Sequence, residues 1–380
     1  MHRRDFIFGC ATLLISGNRL DDAIALIDDA TTAGWFAAEA SISAAALKVT
    51  HGSFVLARGF GKAKEANTVF LLSSLSKPMV AAGIMILCDR GMLSLNDRVQ
   101  RYLPEFTRDG RDDVVIRHLL THTGGLPELL PDELRLLSSH EPLDSFVQAT
   151  CRTPLLFKPG ARVSYSNLGV LLAGEIAQRI LHRPFRDFLR SELFEPLAMM
   201  DTYLGLGRYT IEETAQNQQG NLKFNPNDLY YRNLGAPWGG IHSTVSDITK
   251  FLNAFMNPQG RLLKKETAEF MVRNQTAGLN EPWGIGWMLA HSHDFDLSLW
   301  RSNHRFSRLW PKYDAVAQGA FGQQCSVRTF GHYGVSGTIA WADPETNVTC
   351  TLLSTKRVGF SRDGILGSTS DMVAENFAFR

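Results

Sequence analysis

Along this chain, hydrophobic positions change period in a way that sketches the architecture. Leu20, Ile24 and Ile27 recur at helical spacing and predict a first helix over Leu20–Thr32. Between Ser43 and Gly61 the pattern becomes strand-like. Ala44–Thr50 and Phe54–Arg58 flank His51-Gly52, which is a hairpin signal. A short apolar run, Phe70-Leu71-Leu72, then meets two serines in Ser73-Ser74-Leu75-Ser76-Lys77-Pro78. Beyond it, Met79 to about Arg90 is apolar at helical spacing and closes at Gly91. Proline has no N–H and fits only near a helix start, so this helix begins close to Ser74.

The middle of the chain reads as helical. Leu95–Val99 and Tyr102–Phe106 are a turn and a short extended piece. Val114–His122 predicts a helix stopped by Thr123-Gly124-Gly125-Leu126-Pro127. Phe157-Lys158-Pro159-Gly160 is a turn ahead of Val163–Asn167, and Leu168–Ile180 is a long buried or amphipathic helix. Ser191–Met200 is a further helical piece. Pro237-Trp238-Gly239-Gly240 is a loop, and Ser243 or Thr244 caps a helix over Val245–Met256. From Trp283 the period turns to that of strands. Trp283-Gly284-Ile285-Gly286-Trp287 fits a sheet edge. Arg328–His332, Thr338–Ala342 and Val348–Ser354 predict three consecutive antiparallel strands, with turns at Gly334–Gly337 and Asp343–Asn347. Asp363–Phe379 predicts a closing helix. Between these, His291–Gln324 is irregular, aromatic and basic, and reads equally as a solvated insertion or a rim over a site.

Composition narrows the class. The chain has 380 residues, 44% hydrophobic and 10% aromatic, which is ample for a sizeable core in one large or two interlocked domains. Lys+Arg 39 against Asp+Glu 38 leaves a formal charge of +1, so no basic excess points to nucleic acid. After the first twenty residues no apolar run is long enough to span a bilayer. Cys10, Cys88, Cys151, Cys325 and Cys350 lack C-x-x-C spacing, which supports no zinc ribbon, redox motif or assigned disulfide. Arg3, Arg4 and Phe6 ahead of a short apolar run to Ile15 read as an export leader of twin-arginine flavour over residues 1–19. The expected location is therefore periplasmic or extracellular, with the cytoplasm as the alternative.

The candidate chemistry begins at Ser74. Lys77 lies three positions on, so both side chains share one face of a helical turn. A hydroxyl at a helix N-terminus sits among main-chain N–H groups without partners and in a positive field. An amine can take its proton only when neutral. Poising a free lysine of pKa near 10.4 close to 7.4 costs roughly 4 kcal/mol, which burial and a helix N-terminus can supply. A lone S-x-x-K occurs often by chance. Here two further motifs follow in order: Tyr165-Ser166-Asn167 just before a helix, and His332-Tyr333-Gly334 on a strand before a glycine turn.

Together these motifs resemble the serine β-lactamase and penicillin-binding-protein superfamily, most closely its class C β-lactamase-related branch of peptidases and esterases. Supporting stretches are Leu119–Pro127, Leu193-Phe194-Glu195-Pro196-Leu197, Gly239–Thr244 and Asp343-Pro344-Glu345-Thr346, and the resemblance runs from about Leu20 to about Phe379. It implies an α+β, β-lactamase/transpeptidase-like fold occupying residues 20–380. In that fold an antiparallel sheet is flanked by terminal helices, with an all-helical region, about 78–280, inserted before the later strands. It implies a serine hydrolase that forms an acyl-enzyme on an ester, amide or peptide-like bond of a small molecule or peptide, without a cofactor. Ser74 would be the nucleophile, Lys77 its proton acceptor and Tyr165 a partner in acid and base duties. Main-chain N–H groups of Ser74 and Val335 would form an oxyanion hole. Asn167 would orient the acyl group's amide, and His332, Tyr333 and Gly334 would line the opposite wall.

Two departures stand out. His332 occupies the position where many relatives carry lysine, which weakens the attraction for a substrate carboxylate. Ala198, in Leu197-Ala198-Met199, stands where glycine is common and bears on local backbone only. Competing readings are a β-lactamase or DD-carboxypeptidase proper, and a non-catalytic penicillin-sensing module on the same fold. A metal-dependent hydrolase using His118 and His122 is a third. It is disfavoured because no glutamate sits between those histidines and no third ligand follows at useful spacing. His291-Ser292-His293-Asp294 reads as a polar surface loop, not as a metal site.

Overall fold

The computed structural model describes residues 19–32, 42–218, 224–290, 321–356 and 364–378. The leader and nearly all of the His291–Gln324 insertion lie outside them. Helix α1 (Arg19–Thr32) precedes the hairpin of β1 (Ala44–His51) and β2 (Phe54–Gly61). Strand β3 (Phe70–Leu71) runs into a 3-10 turn over Ser73–Ser76 and then α2 (Lys77–Asp89). A helical stretch follows: α3 (Ile116–Leu120), α4 (Glu133–Ser138), α5 (Leu143–Arg152), α6 (Asn167–Leu181) and α7 (Phe185–Leu189). Next come β4 (Tyr203–Leu204), α8 (Leu229–Asn233), β5 (Ile241–Ser243), α9 (Val245–Met256) and α10 (Lys265–Met271). The chain closes with β6 (Met288–Leu289), β7 (Phe330–Gly334), β8 (Thr338–Asp343), β9 (Val348–Ser354) and α11 (Ile365–Phe377).

Among the described residues the strands form a six-stranded antiparallel sheet in the order β2-β1-β9-β8-β7-β6, and a small sheet in the order β3-β5-β4. Strands β8 and β9 are buried along their whole length, because both faces of the large sheet are covered. The period of two sorts the side chains. Ala45, Leu47, Val49, Ile339 and Trp341 pack with Leu20 and Ile27 of α1 and with Ile365, Leu366 and Val373 of α11. Ala44, Ala46, Ala340 and Ala342 face the other way, into the core shared with the helical region. Small side chains on that inner face admit α9, which lies against β1, β8 and β9. Trp341 Nε1 donates to Ser370 Oγ at 3.1 Å and fastens α11 to the sheet.

The hairpin, the first helix, the helix at 245–256 with its Thr244 cap, the three C-terminal strands and the closing helix form where their patterns placed them. Three elements differ. The predicted helix over Val114–His122 is only five residues long, because His122 itself takes the left-handed conformation (φ 58°) and stops it before the glycines. Ser191–Met200 continues α7 as a π-turn over Arg190–Phe194 and then ends. The sheet edge is Met288–Leu289, while Trp283 only bridges to Met288 and the two tryptophans enclose a turn with Gly286 at φ 75°.

The π-turn ends in a Schellman motif. Met199 N donates to Phe194 O at 2.8 Å, Ala198 N donates to Glu195 O at 2.9 Å, and Ala198 sits at φ 55°. A methyl group in that conformation costs about 1–2 kcal/mol, part of which glycine's greater chain entropy would give back. Ala198→Gly is therefore expected to stabilise the fold by about 0.5–1 kcal/mol without changing activity, read as an upward shift in Tm.

Candidate active site

The two sheets meet at the turn that carries Ser74. Leu72 N donates to Ile241 O of β5 at 2.9 Å, and Ser76 Oγ accepts from Ile241 N at 3.1 Å. From the large sheet, Thr338 Oγ1 donates to Leu72 O at 2.8 Å and Ser336 Oγ to Leu71 O at 3.1 Å. Ser73, gripped between them, is held at φ 50°, a conformation rare outside glycine. Gly334 explains how β7 comes so close: a Cβ there would stand 2.1 Å from Leu72 O and 3.1 Å from the Ser73 Cβ. The turn after β7, closed by Gly337 N to Gly334 O at 3.0 Å, places the main chain of Val335 beside the serine turn.

Lys77, first residue of α2, is 1% exposed. Its Nζ lies 2.9 Å from Ser74 Oγ and donates to the Trp238 carbonyl at 2.8 Å. It also stands 4.7 Å from the centroid of the Tyr165 ring. Burial lowers its pKa from 10.5 to about 7, against the opposing pull of the Glu128 and Glu133 carboxylates. Ser74, Lys77 and Tyr165, 91 positions apart at their extremes (165 − 74), are thus brought into one crevice. An amine that is neutral near pH 7 beside a hydroxyl can accept its proton.

Asn167 opens α6 and is 9% exposed. Its N–H donates to Glu128 O at 3.1 Å, while its Oδ1 has no partner within the chain. Ser166 caps the same helix, accepting from Gly169 N at 3.2 Å and donating to Pro127 O at 2.8 Å. His332 is fully buried, so it backs the wall, while Tyr333 beside it stays partly exposed. Burial, helped by Lys77, pushes the His332 imidazole down to about 3. His122 packs on Tyr165 and Trp283, with ring centroids 4.6 and 4.5 Å away, and burial holds it neutral as well. Glu133, first residue of α4, is pushed up to about 7 by burial and by Glu128.

His118 and His122 are not arranged as a metal pair. Nδ1 of His118 accepts from Val115 N at 3.3 Å, and Nδ1 of His122 accepts from Ser166 N at 3.1 Å. Among the described residues no three His, Cys, Asp or Glu side chains are grouped to hold a metal ion. Several site groups escaped the sequence. Trp238 contributes a main-chain carbonyl, which no side-chain pattern marks. Trp283 read as sheet, and the left-handed Ser73 carries no glycine to announce it. Glu128, next to the Leu126-Pro127 stop, was a visible charge with no visible neighbour.

Known proteins share the sequence pattern and the fold. A family model described as Beta-lactamase matches residues 27–366. Esterase EstB of Burkholderia gladioli is 33% identical over 66% of this chain and 75% of its own. Penicillin-binding protein 4* of Bacillus subtilis (strain 168) is 28% identical over 60% of this chain. The match covers 54% of that relative, so the chain spans about half its length. Among solved structures, "EstCE1, a hydrolase with promiscuous acyltransferase activity" superposes with a TM-score of 0.72 at 19% identity, covering 95% of this chain and 99% of that one, a likeness of fold.

Three outcomes follow from the geometry. Because Lys77 must be neutral to accept a proton, kcat/KM should rise about tenfold per pH unit below its value of about 7 and level off above it. Glu128→Gln removes a charge that favours the ammonium, so the midpoint should move to lower pH. Gly334→Ala should cost about a hundredfold in kcat/KM by forcing β7 off the serine turn, with a lowered Tm in the same protein.

Proposed function

The chain belongs to the beta-lactamase family, and we propose that it is a hydrolase in which Ser74 is the nucleophile of an acyl-enzyme mechanism acting on esters or amides that lack a free carboxylate. The 2.9 Å approach of Lys77 Nζ to Ser74 Oγ, with the amine poised near neutrality, carries this reading. Lys77 takes the Ser74 proton as Oγ attacks the carbonyl carbon. The oxyanion then faces the main-chain N–H groups of Ser74 and Val335, each worth roughly 3–4 kcal/mol in such a role. Lys77 and Tyr165 return the proton to the leaving group, and water releases the acyl group by the same route reversed. Asn167 Oδ1, buried and without a protein partner, suits an N–H of a bound acyl group.

Electrostatics favours substrates without a carboxylate. The wall contributes a neutral imidazole at His332, while the loop ahead of α4 brings the carboxylate of Glu128 and the start of α4 a half-buried Glu133. The paired arginines near Met1 support export to the periplasm or beyond.

Labelling with a fluorophosphonate followed by mass spectrometry should modify Ser74 in the native protein and nothing in Ser74→Ala. An unlabelled native protein would refute the mechanism. p-Nitrophenyl esters, D-amino-acid amides and a chromogenic cephalosporin then sort the substrate class. Rapid cephalosporin turnover would mark a β-lactamase, and a stable adduct without turnover a penicillin-sensing module. At about pH 8, where an ordinary imidazole is mostly neutral, a methyl ester should match or exceed its parent acid in kcat/KM; a large preference for the acid would refute the selectivity.

A further inference from the structure

Around Tyr165 the structure leaves two buried imidazole nitrogens without partners: Nε2 of His122 and Nε2 of His332. Their residues are 1% and 0% exposed. Both rings stand against Tyr165, with centroids 4.6 and 6.1 Å away, and both stand against Trp283, at 4.5 and 5.8 Å. They come from different elements: His122 closes α3, and His332 lies on β7.

The second nitrogen of each ring fixes what the first can do. His122 Nδ1 receives the Ser166 N–H at 3.1 Å, so it is a lone pair, and the ring proton of the neutral imidazole must sit on Nε2. His332 Nδ1 lies 2.7 Å from the Tyr333 carbonyl oxygen, which can only accept, so the proton is on Nδ1 and Nε2 is a lone pair. Burial and the nearby Lys77 keep both rings neutral, so these tautomers persist. One orphan is therefore a donor and the other an acceptor. Buried polar groups are rarely left unpaired, and a buried water characteristically makes two to four hydrogen bonds. A water molecule can both accept from one such group and donate to the other.

We propose that His122 Nε2–H and His332 Nε2 bind one structural water between the two walls of the crevice, and that the two histidines act as positioning residues which hold the Tyr165 ring over Lys77 through it. Asn167 Oδ1, two positions from Tyr165 and also buried without a partner, offers a further acceptor. His122 is suited to this place by its backbone. At φ 58° it closes α3, with Thr123 N donating to His118 O at 3.0 Å, and turns away from the helix toward Ser166. The site stands on geometry alone; its effect on turnover rests on the hydrolase reading above.

A crystal structure of the full chain at high resolution should show an ordered water within hydrogen-bond distance of both Nε2 atoms. Nitrogen-15 NMR of the imidazoles should report the Nε2–H tautomer for His122 and Nδ1–H for His332. An empty socket, or the reverse tautomer at either ring, overturns the proposal. His122→Asn keeps an acceptor for Ser166 N–H and tolerates a left-handed backbone, but has no group at the Nε2 position. It should leave Tm within about 2 °C, the shift that roughly 1 kcal/mol produces in a chain of this size. It should lower kcat on a p-nitrophenyl ester about tenfold, the upper worth of one hydrogen bond, with KM little changed. Unchanged kcat overturns the role assigned to the water. Fluorophosphonate labelling of Ser74 in both proteins separates these results from failure of the hydrolase reading, which only an unlabelled native protein would signal.

Discussion

The structure depends on burying an amine without pairing it to a carboxylate in contact. Lys77 is 1% exposed, and its near partners are a hydroxyl, a carbonyl and an aromatic face. Each of these can share a hydrogen bond or a weak field with the amine, and none carries a full charge. A carboxylate in direct contact would have held the ammonium charged and made it useless as a base. The fold therefore spends stability on the site. Lowering a lysine from 10.5 to about 7 corresponds to about 4–5 kcal/mol of interaction lost by the charged form. Because the folded-state pKa is depressed, that cost is present in full below pH 7 and relaxes as pH rises toward 10.5. The large covered sheet and the apolar α2, buried along nearly all its length, carry the cost.

Burial of the amine also explains the clamp around the serine. A neutral base works only if the hydroxyl is held at hydrogen-bond distance, so the Ser73–Ser76 turn is fastened from two sheets that share no strand. Strain is confined to Ser73, and the nearest approach of β7 is allowed by a residue with no side chain, Gly334. The same logic recurs at His122, where a left-handed residue ends a helix and carries a side chain into the crevice. In both places a conformation of higher energy is fixed by packing around it, where chemistry needs a side chain in one direction.

Legibility in the sequence followed the range of the forces. Helix α9 and its Thr244 cap, the β1–β2 hairpin, and β7 to β9 with their turns rest on local periodicity and turn residues, and they were readable. The S-x-x-K turn was readable because proline at the helix start fixes the frame. The short α3 was not, because its stop is a histidine whose left-handed φ is imposed by contacts with Ser166, Tyr165 and Trp283. Trp238 was invisible as a ligand of Lys77 because a carbonyl belongs to every residue. The depth of His332 was hidden too: the strand pattern gives alternation, but only the tertiary cover decides that the inward face is sealed.

Neutrality at both walls has a consequence for how charge is handled during the reaction. With His122 and His332 uncharged and Lys77 neutral, the fixed charge that acts on the amine comes chiefly from the Glu128 carboxylate. In the proposed mechanism, proton transfer to Lys77 would create an ammonium and an oxyanion together, in a place of low dielectric. Attraction between opposite charges is strong there, while each alone would be costly. In that mechanism the main-chain N–H groups of Ser74 and Val335 would add dipoles that need no reorganisation. A permanent cation in place of His332 would stabilise the oxyanion further, but it would also push Lys77 to a still lower pKa and weaken it as a base. On the proposed mechanism, a neutral imidazole would keep the base strong enough to work and leave the developing charge to the pair that the reaction itself makes.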